Sequence, residues 1–384
     1  MRRKVCVVVT ARPSYSRIKT ALQAIKEHPG LELQIIVAAS ALLDRYGNTI
    51  RYMEEDGFEI KGRVYMVLEG ENLTTMAKTA GLGMLELATV LDNLKPDMVM
   101  AIADRYETIA SAVAASYMNI PVVHVQGGEI TGSIDEKVRH AVTKLSNLHF
   151  VSTKKAAELV IKMGEDPKTV FITGCPSIDL AAKILSSSEL DFDPFEKYGG
   201  VGKLFNYSKG YLVVLQHPVT TEYEKARQHV NETLYAVKNL NLPTFWFWPN
   251  VDAGSDGTSK GIRAFRENEK VSNIHFFKNM MPEDFLQLIF HSLCIVGNSS
   301  VAIRECSFLG VPAVNIGSRQ EGRERGRNVI DVDYNRKTIL NAIRHHIRNG
   351  HVPSEKIYGD GKAGQRISEL LDSVPLTAEK RFAF

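Results

Sequence analysis

The chain has 384 residues, 44% of them hydrophobic and 24% charged. That is an ordinary globular balance in a chain too long for one small core, so two domains are expected. A net charge of +3 argues against a dedicated nucleic-acid surface and leaves room for a local anion pocket.

The N-terminus, Met1-Arg2-Arg3-Lys4, is basic, but only about six apolar or small residues separate it from Arg12-Pro13, too few for a signal peptide. Residues 5–9 read instead as the first strand. No apolar run reaches the ~18 residues of a membrane helix. The four cysteines, Cys6, Cys175, Cys294 and Cys306, have no Cys-x-x-Cys spacing and read as reduced thiols of a cytoplasmic protein. Residues 18–28 follow with helical spacing, 33–38 as a strand, 73–94 as a long helix and 97–102 as a strand leading to Asp104. Residues 110–117 are helical, and 121–125, 149–152 and 170–173 are strands. Continuous apolar strands separated by helices predict a parallel sheet covered on both faces, with ligands beyond the strands' C-terminal ends.

Residues 186–210, with three serines, an acidic cluster and Gly199-Gly200, read as a break between domains. The alternation then restarts: strands at 211–215, 244–248, 273–277, 293–297 and 313–316, and a helix at 221–240. Residues 331–384 read as two helices joined by a loop at 354–361. The expected division is a first open α/β domain over 1–185, joined by a terminal helix at 362–384, and a second over 186–361.

The chemistry is expected at the strand ends. Gly297-Asn298-Ser299-Ser300 closes one strand, and residues 301–309 are expected to form a helix, so free backbone N–H groups would favour an anion there. Glu305, on that helix, suits a ribose diol, although an exposed carboxylate on a capped helix would look the same. After the first strand, Arg12 and Ser16 stand where a Gly-x-Gly-x-x-Gly loop would mark a dehydrogenase; they suit phosphate or merely a basic surface. Asp104-Arg105 is either an ion pair or an acid/base beside a phosphate ligand. Gln126-Gly127-Gly128-Glu129 pairs two glycines suited to close ligand approach, and Asp135 follows the cap candidate Ser133. His217 and Asn250 also follow strands. No cluster has metal-ligand spacing.

Together these segments resemble the hydrolysing UDP-N-acetylglucosamine 2-epimerases of sialic-acid and related nonulosonic-acid synthesis. The likeness runs through Asp44-x-Tyr46-Gly47-Asn48-Thr49, Asp104-Arg105, His124 to Asp135, Arg139-His140, Gly174-Cys175-Pro176-Ser177, Gln216-His217-Pro218, Pro249-Asn250, Gly297 to Ser300, Arg319-Gln320 and Lys356 to Gly361. It implies two Rossmann-like α/β domains in the glycosyltransferase-B arrangement, with the active site in the interdomain cleft. It implies a UDP shell of Arg12, Ser16, Arg105, His217, Asn250, Ser299, Ser300, Glu305 and Arg319. Asp104 and Asp135 are implied as catalytic carboxylates, with Gln126 and Glu129 beside them. The implied reaction removes the carbon-2 proton, expels UDP to leave a 2-acetamidoglycal, and adds water to give N-acetylmannosamine. No cofactor or metal is implied. The partners implied are the UDP-sugar and a second or fourth copy of the chain, as homodimer or homotetramer, with neither nucleic acid nor membrane.

Two positions depart from the family's pattern: Gln126 stands where many relatives have glutamate, and Ala41 where they often have histidine. Either Asp104, Glu129 or Asp135 takes the proton, or the substrate is UDP-2,4-diacetamido-2,4,6-trideoxyglucose, or the chain is silent. A UDP-sugar glycosyltransferase and a non-catalytic UDP-sugar binding protein are the rival readings.

Overall fold

The computed structural model describes residues 2–383 apart from 71, 103–104, 132–133, 186–188, 250–253 and 270, and apart from the Arg45 side chain. Among the described residues the chain forms two compact units: 1–130, 134–179 and 358–384 in the first, 131–133 and 180–357 in the second.

The first unit is a seven-stranded parallel sheet. Its strands are β1 (Arg3–Val9), β2 (Leu31–Ala38), β3 (Ile60–Val64), β4 (Met98–Ile102), β5 (Val122–Val125), β6 (Leu148–Val151) and β7 (Val170–Ile172), in the order 3-2-1-4-5-6-7. Its helices are α1 (Arg12–Glu27), α2 (Thr49–Glu55), α3 (Leu73–Leu94), α4 (Thr108–Tyr117), α5 (Ile134–Leu145) and α6 (Lys154–Lys162). Helix α7 (Pro176–Ile184) runs out of this unit.

The two-residue period of β1 divides the core. Val5, Val7 and Val9 pack with Ile18, Leu22 and Ile25 of α1, while Cys6 and Val8 pack with Leu87 and Leu91 of α3 and Ala112 and Ala115 of α4. Both faces are therefore buried, which is why this strand is apolar throughout.

The second unit repeats the plan with β9 (Leu212–Leu215), β10 (Thr244–Phe247), β11 (Ile274–Phe277), β12 (Cys294–Gly297), β13 (Ala313–Ile316) and β14 (Val329–Val332) in parallel, ordered 14-13-12-9-10-11. The short β8 (Val201–Gly202) closes the β11 edge in antiparallel fashion. The helices are α8 (Pro194–Tyr198), α9 (Ala226–Leu240), α10 (Ser255–Asn268), α11 (Pro282–Phe290), α12 (Glu305–Leu309) and α13 (Arg336–Asn349). The fold class is the expected one, two α/β units on parallel sheets.

Several local expectations need correction. The stretch read as a break carries α8 and β8, because Phe195, Phe205 and Tyr207 pack against Phe245 of β10. The helix expected at 221–240 starts at Ala226, after a 3-10 turn with non-helical backbone at Glu222. β14 lies partly where the terminal helices were expected, and the polar edge strand β3 was not anticipated.

From Tyr358 the chain belongs to the first unit again. The Cys175 N–H donates to the Tyr358 carbonyl at 2.7 Å, and Asp179 accepts from the backbone N–H groups of Ala363 and Gly364 at 2.9 and 2.7 Å. They start α14 (Ala363–Ser373), whose Ile367 and Leu371 join the α1 side of the core.

Candidate active site

Both sheets have a point where the strand order reverses, between β1 and β4 and between β9 and β12. In open α/β sheets the loops leaving such a point diverge to opposite faces and open a crevice beyond the strand ends. Arg12 follows β1 and Arg105 follows β4; His217 follows β9 and Ser299 and Ser300 follow β12. Four of the loops named from sequence thus flank the two switch points.

In the first unit, Arg12 is the first residue of α1, which starts earlier than the periodicity suggested because Pro13 sets a helical φ at no hydrogen-bond cost. Burial and the charge of Arg105 pull the Arg12 guanidinium down to about 10, with Tyr52 opposing. Two positive groups near enough to act on each other at strand ends create a field that favours an anion. The Ser16 hydroxyl donates to the Arg12 carbonyl at 3.2 Å. Arg105 is buried and held by the equally buried Glu107, Nε at 3.2 Å and Nη2 at 3.0 Å, a partner that sequence reasoning missed. Asp104 lies outside the described residues.

Gln126 ends β5 with φ +67, and its N–H donates to the Phe150 carbonyl at 2.8 Å. Its side-chain amide donates to the Cys175 thiol at 2.7 Å, and that sulfur lies 2.9 Å from the Ser177 hydroxyl, all three groups buried. The glycine pair is required by packing: a Cβ at Gly128, φ +75, would lie 2.2 Å from the Ala156 carbonyl, and one at Gly127 would lie 2.8 Å from His124 Nδ1. Glu129 is buried and its carbonyl accepts from Arg139, which also pairs with Glu136 at 2.8 Å. Asp135 is half-buried in the first turn of α5, and Ser133 lies outside the described residues. Ala41 is fully buried, its N–H on the Thr10 carbonyl at 3.1 Å.

In the second unit the expected helix over 301–309 does not form as one piece. A 3-10 turn covers Ser300–Ala302 and α12 only Glu305–Leu309, with Ser300 accepting from both Ile303 and Arg304 N–H groups. β-branched Val301 and Ile303 disfavour a regular helix. Gly310, φ +73, ends α12 where a Cβ would meet the Val352 carbonyl at 2.1 Å. Five residues carry little dipole, so individual donors must hold an anion here. Ser299 caps the turn, accepting from the Val301 N–H at 3.5 Å. The Ser300 hydroxyl accepts from Arg304 Nη2 at 2.8 Å. Glu305 is 6% exposed, and its Oε2 has no hydrogen-bond donor among the described residues; the Arg304 Nε stands 4.0 Å away. His217 is buried, and Arg319 reaches the Asn298 carbonyl at 3.3 Å. Asn250 lies outside the described residues.

The structure thus brings His217, Ser299, Ser300 and Arg319 together around Asn298 in one unit, and Arg12 with Arg105 in the other. The profile of the family described as UDP-N-acetylglucosamine 2-epimerase matches residues 23–372. The chain belongs to this family.

Among relatives of this family member, a Legionella pneumophila UDP-N,N'-diacetylbacillosamine 2-epimerase (hydrolyzing) is 32% identical over 379 residues, 99% of this chain and 98% of its own. A Neisseria meningitidis UDP-N-acetylglucosamine 2-epimerase is 29% identical over 388 residues, 100% of this chain and 99% of its own. The solved UDP-GlcNAc 2-epimerase from Neisseria meningitidis, bound to UDP-GlcNAc, superposes with a TM-score of 0.79 at 18% identity, covering 96% of this chain and 99% of that one. The likeness read from the sequence motifs is confirmed at the level of the family and the fold.

Proposed function

We propose that this chain is a hydrolysing 2-epimerase of a UDP-2-acetamido sugar, releasing UDP and the free 2-epimerised sugar. Glu305 carries the reading. A buried carboxylate oxygen without a protein donor is costly unless a ligand supplies one. Beside Ser300 and Arg304, a ribose diol meets that need. The family of the chain and the hydrolysing relative support the reaction type.

The chemistry follows from the groups present. A base takes the weakly acidic carbon-2 proton, the C1–O bond breaks with its electron pair going to the UDP β-phosphate oxygen, and C1=C2 forms. Arg12 and Arg105 of the first unit and His217 and Arg319 of the second are the candidate donors for the charge developing on a leaving diphosphate. Water oxygen then attacks C1 while a proton is delivered to C2 from the opposite face, and the surplus water proton leaves to a base. Gln126 cannot ionise, and its amide is directed at a thiol. The base is therefore assigned among Asp104, Asp135 and Glu129, with Gln126 as a hydrogen-bonding neighbour.

UDP-N-acetylglucosamine is the first substrate to offer. The Legionella pneumophila relative makes UDP-2,4-diacetamido-2,4,6-trideoxyglucose the second. Turnover without any acceptor, in deuterated water, is expected to give UDP and a free sugar carrying deuterium at carbon 2. A product without that label removes the elimination step, and an absolute requirement for an acceptor makes the protein a transferase. Asp104→Asn is expected to lower turnover about a hundredfold or more with UDP affinity kept. If Asp104→Asn and Asp135→Asn both stay active, Glu129 is the base.

A further inference from the structure

We infer that Asn298 is the positioning residue of the nucleotide half-site: its buried side chain ties the loop of His217 to the loop of Ser299 and Ser300, and its backbone carbonyl receives the loop of Arg319. This rests on the reading of those four residues as UDP ligands.

Strands β9 and β12 run parallel with Gly297 opposite Leu215. Gly297, φ +138, is there because any Cβ would lie 2.1 Å from the Leu215 carbonyl. The strand ends consequently converge. The backbone ladder takes one more step, Asn298 N–H to Leu215 carbonyl at 3.2 Å. Beyond it the Asn298 side chain continues the pairing. Oδ1 accepts from the His217 N–H at 2.7 Å, and Nδ2 donates to the His217 carbonyl at 2.9 Å. Facing a donor on one side and an acceptor on the other, the carboxamide has one orientation that satisfies both. The Asn298 carbonyl accepts from Gln320 Nε2 at 2.9 Å and Arg319 Nη1 at 3.3 Å. Loops 216–218, 298–300 and 318–320 therefore meet on a residue that is 0% exposed.

No other side chain does this without loss. Aspartate keeps the acceptor but loses the donor and buries a charge. Serine offers one bond at shorter reach, and alanine leaves the His217 N–H and carbonyl to find other partners. Asn298 belongs to the binding half of the site, so its removal should act on UDP affinity and KM more than on kcat.

Calorimetry with UDP on the full chain tests this, using Asn298→Ala and, as control, Thr244→Ala. Thr244 is equally buried and loses one bond to the Leu242 carbonyl, but it starts β10 opposite Leu212, at the N-terminal ends of the strands, away from the loops that follow β9 and β12. Asn298→Ala is expected to weaken UDP binding about tenfold or more, with KM rising by a similar factor, kcat changing less, and Thr244→Ala leaving both near wild type. Asn298→Ser should fall between, and it replaces Asn298→Ala if that variant does not fold. In the wild-type protein the His217 amide should exchange with solvent as slowly as those of residues 213–215. Loop-like exchange at His217, or equal UDP affinity for Asn298→Ala and Thr244→Ala, overturns the assignment while wild-type UDP binding keeps the proposed function. A wild-type chain that does not bind UDP overturns both.

Discussion

Single residues here show how environment decides what a side chain does. Glu305 was legible in the sequence as a ribose candidate, but an exposed helical glutamate would have read the same; its burial and unmatched Oε2 separate the two. Glu305→Ala is expected to weaken UDP binding by roughly 1.5–3 kcal/mol, the contribution of a charged acceptor. Calorimetry would show this directly, and unchanged affinity would take Glu305 out of the site. Asn298 was named from sequence only as part of the Gly297–Ser300 strand end, because nothing local tells that its amide meets a loop 81 residues away. Glu107, as the partner of Arg105, lay only two residues off, yet spacing alone gives no orientation. The cysteines were legible: all four are free and buried, and burial pushes the Cys6 thiol up to about 12 and those of Cys294 and Cys306 well upward, so these three stay neutral.

At the scale of elements, success followed local signals. The expected bounds of α3 match Leu73–Leu94 because the helix carries its own punctuation, a capping box between Asn72 and Thr75 and a left-handed end at Lys95. Residues 301–309 lacked such support, and the chain makes a 3-10 turn at Ser300–Ala302 before α12, where the β-branched pair Val301 and Ile303 disfavours a regular helix. A second element-scale feature is the seat of residue 380 on the outer part of the first unit. The Lys380 ammonium lies on Glu165 and on the Thr143 and Ser146 carbonyls, while Lys144 and His149 reach the same carboxylate at 2.6 and 3.0 Å. Burial would raise the Glu165 pKa, but the hydrogen bonds from His149, Lys144 and Lys380 outweigh it and hold the group at about 2. Burial lowers the His149 pKa, with Glu165 opposing and Lys380 and Lys144 reinforcing. Both folded pKa values lie below those of the unfolded chain, so both contributions are complete above the unfolded values and disappear as pH falls. Loss should begin below about 6.5 with His149 and continue from 4.5 towards 2 with Glu165. Urea midpoints measured at several pH values should fall across that window, and Glu165→Gln should flatten the lower part. An equally steep acid limb in Glu165→Gln would assign the loss to other groups.

On the scale of the whole molecule, the first unit is discontinuous in sequence, since residues 358–384 return to it. Ile367 and Leu371 of α14 pack with Ile18, Leu22 and Ile25, and Arg3 Nη1 bonds the Leu371 and Val374 carbonyls at 2.9 and 2.8 Å. Each buried Ile or Leu contributes about 1.5–3 kcal/mol. A chain ending at residue 357 should therefore melt lower and expose apolar surface in the first unit, although the cut follows the second unit in sequence. Thermal unfolding with a hydrophobic dye checks this, and an unchanged melting profile would show α14 to be dispensable. The alternation of apolar runs and helical spacing determined two α/β units on parallel sheets, because strands buried on both faces must be apolar throughout. The residue types at the strand ends, with their order along the chain, determined the family. Only the tertiary structure decided which strand ends adjoin, that the paired glycines serve packing, and that Asn298 ties three loops together. Strand order and side-chain hydrogen bonds between distant segments exist only once the chain has closed on itself, and no local pattern encodes them.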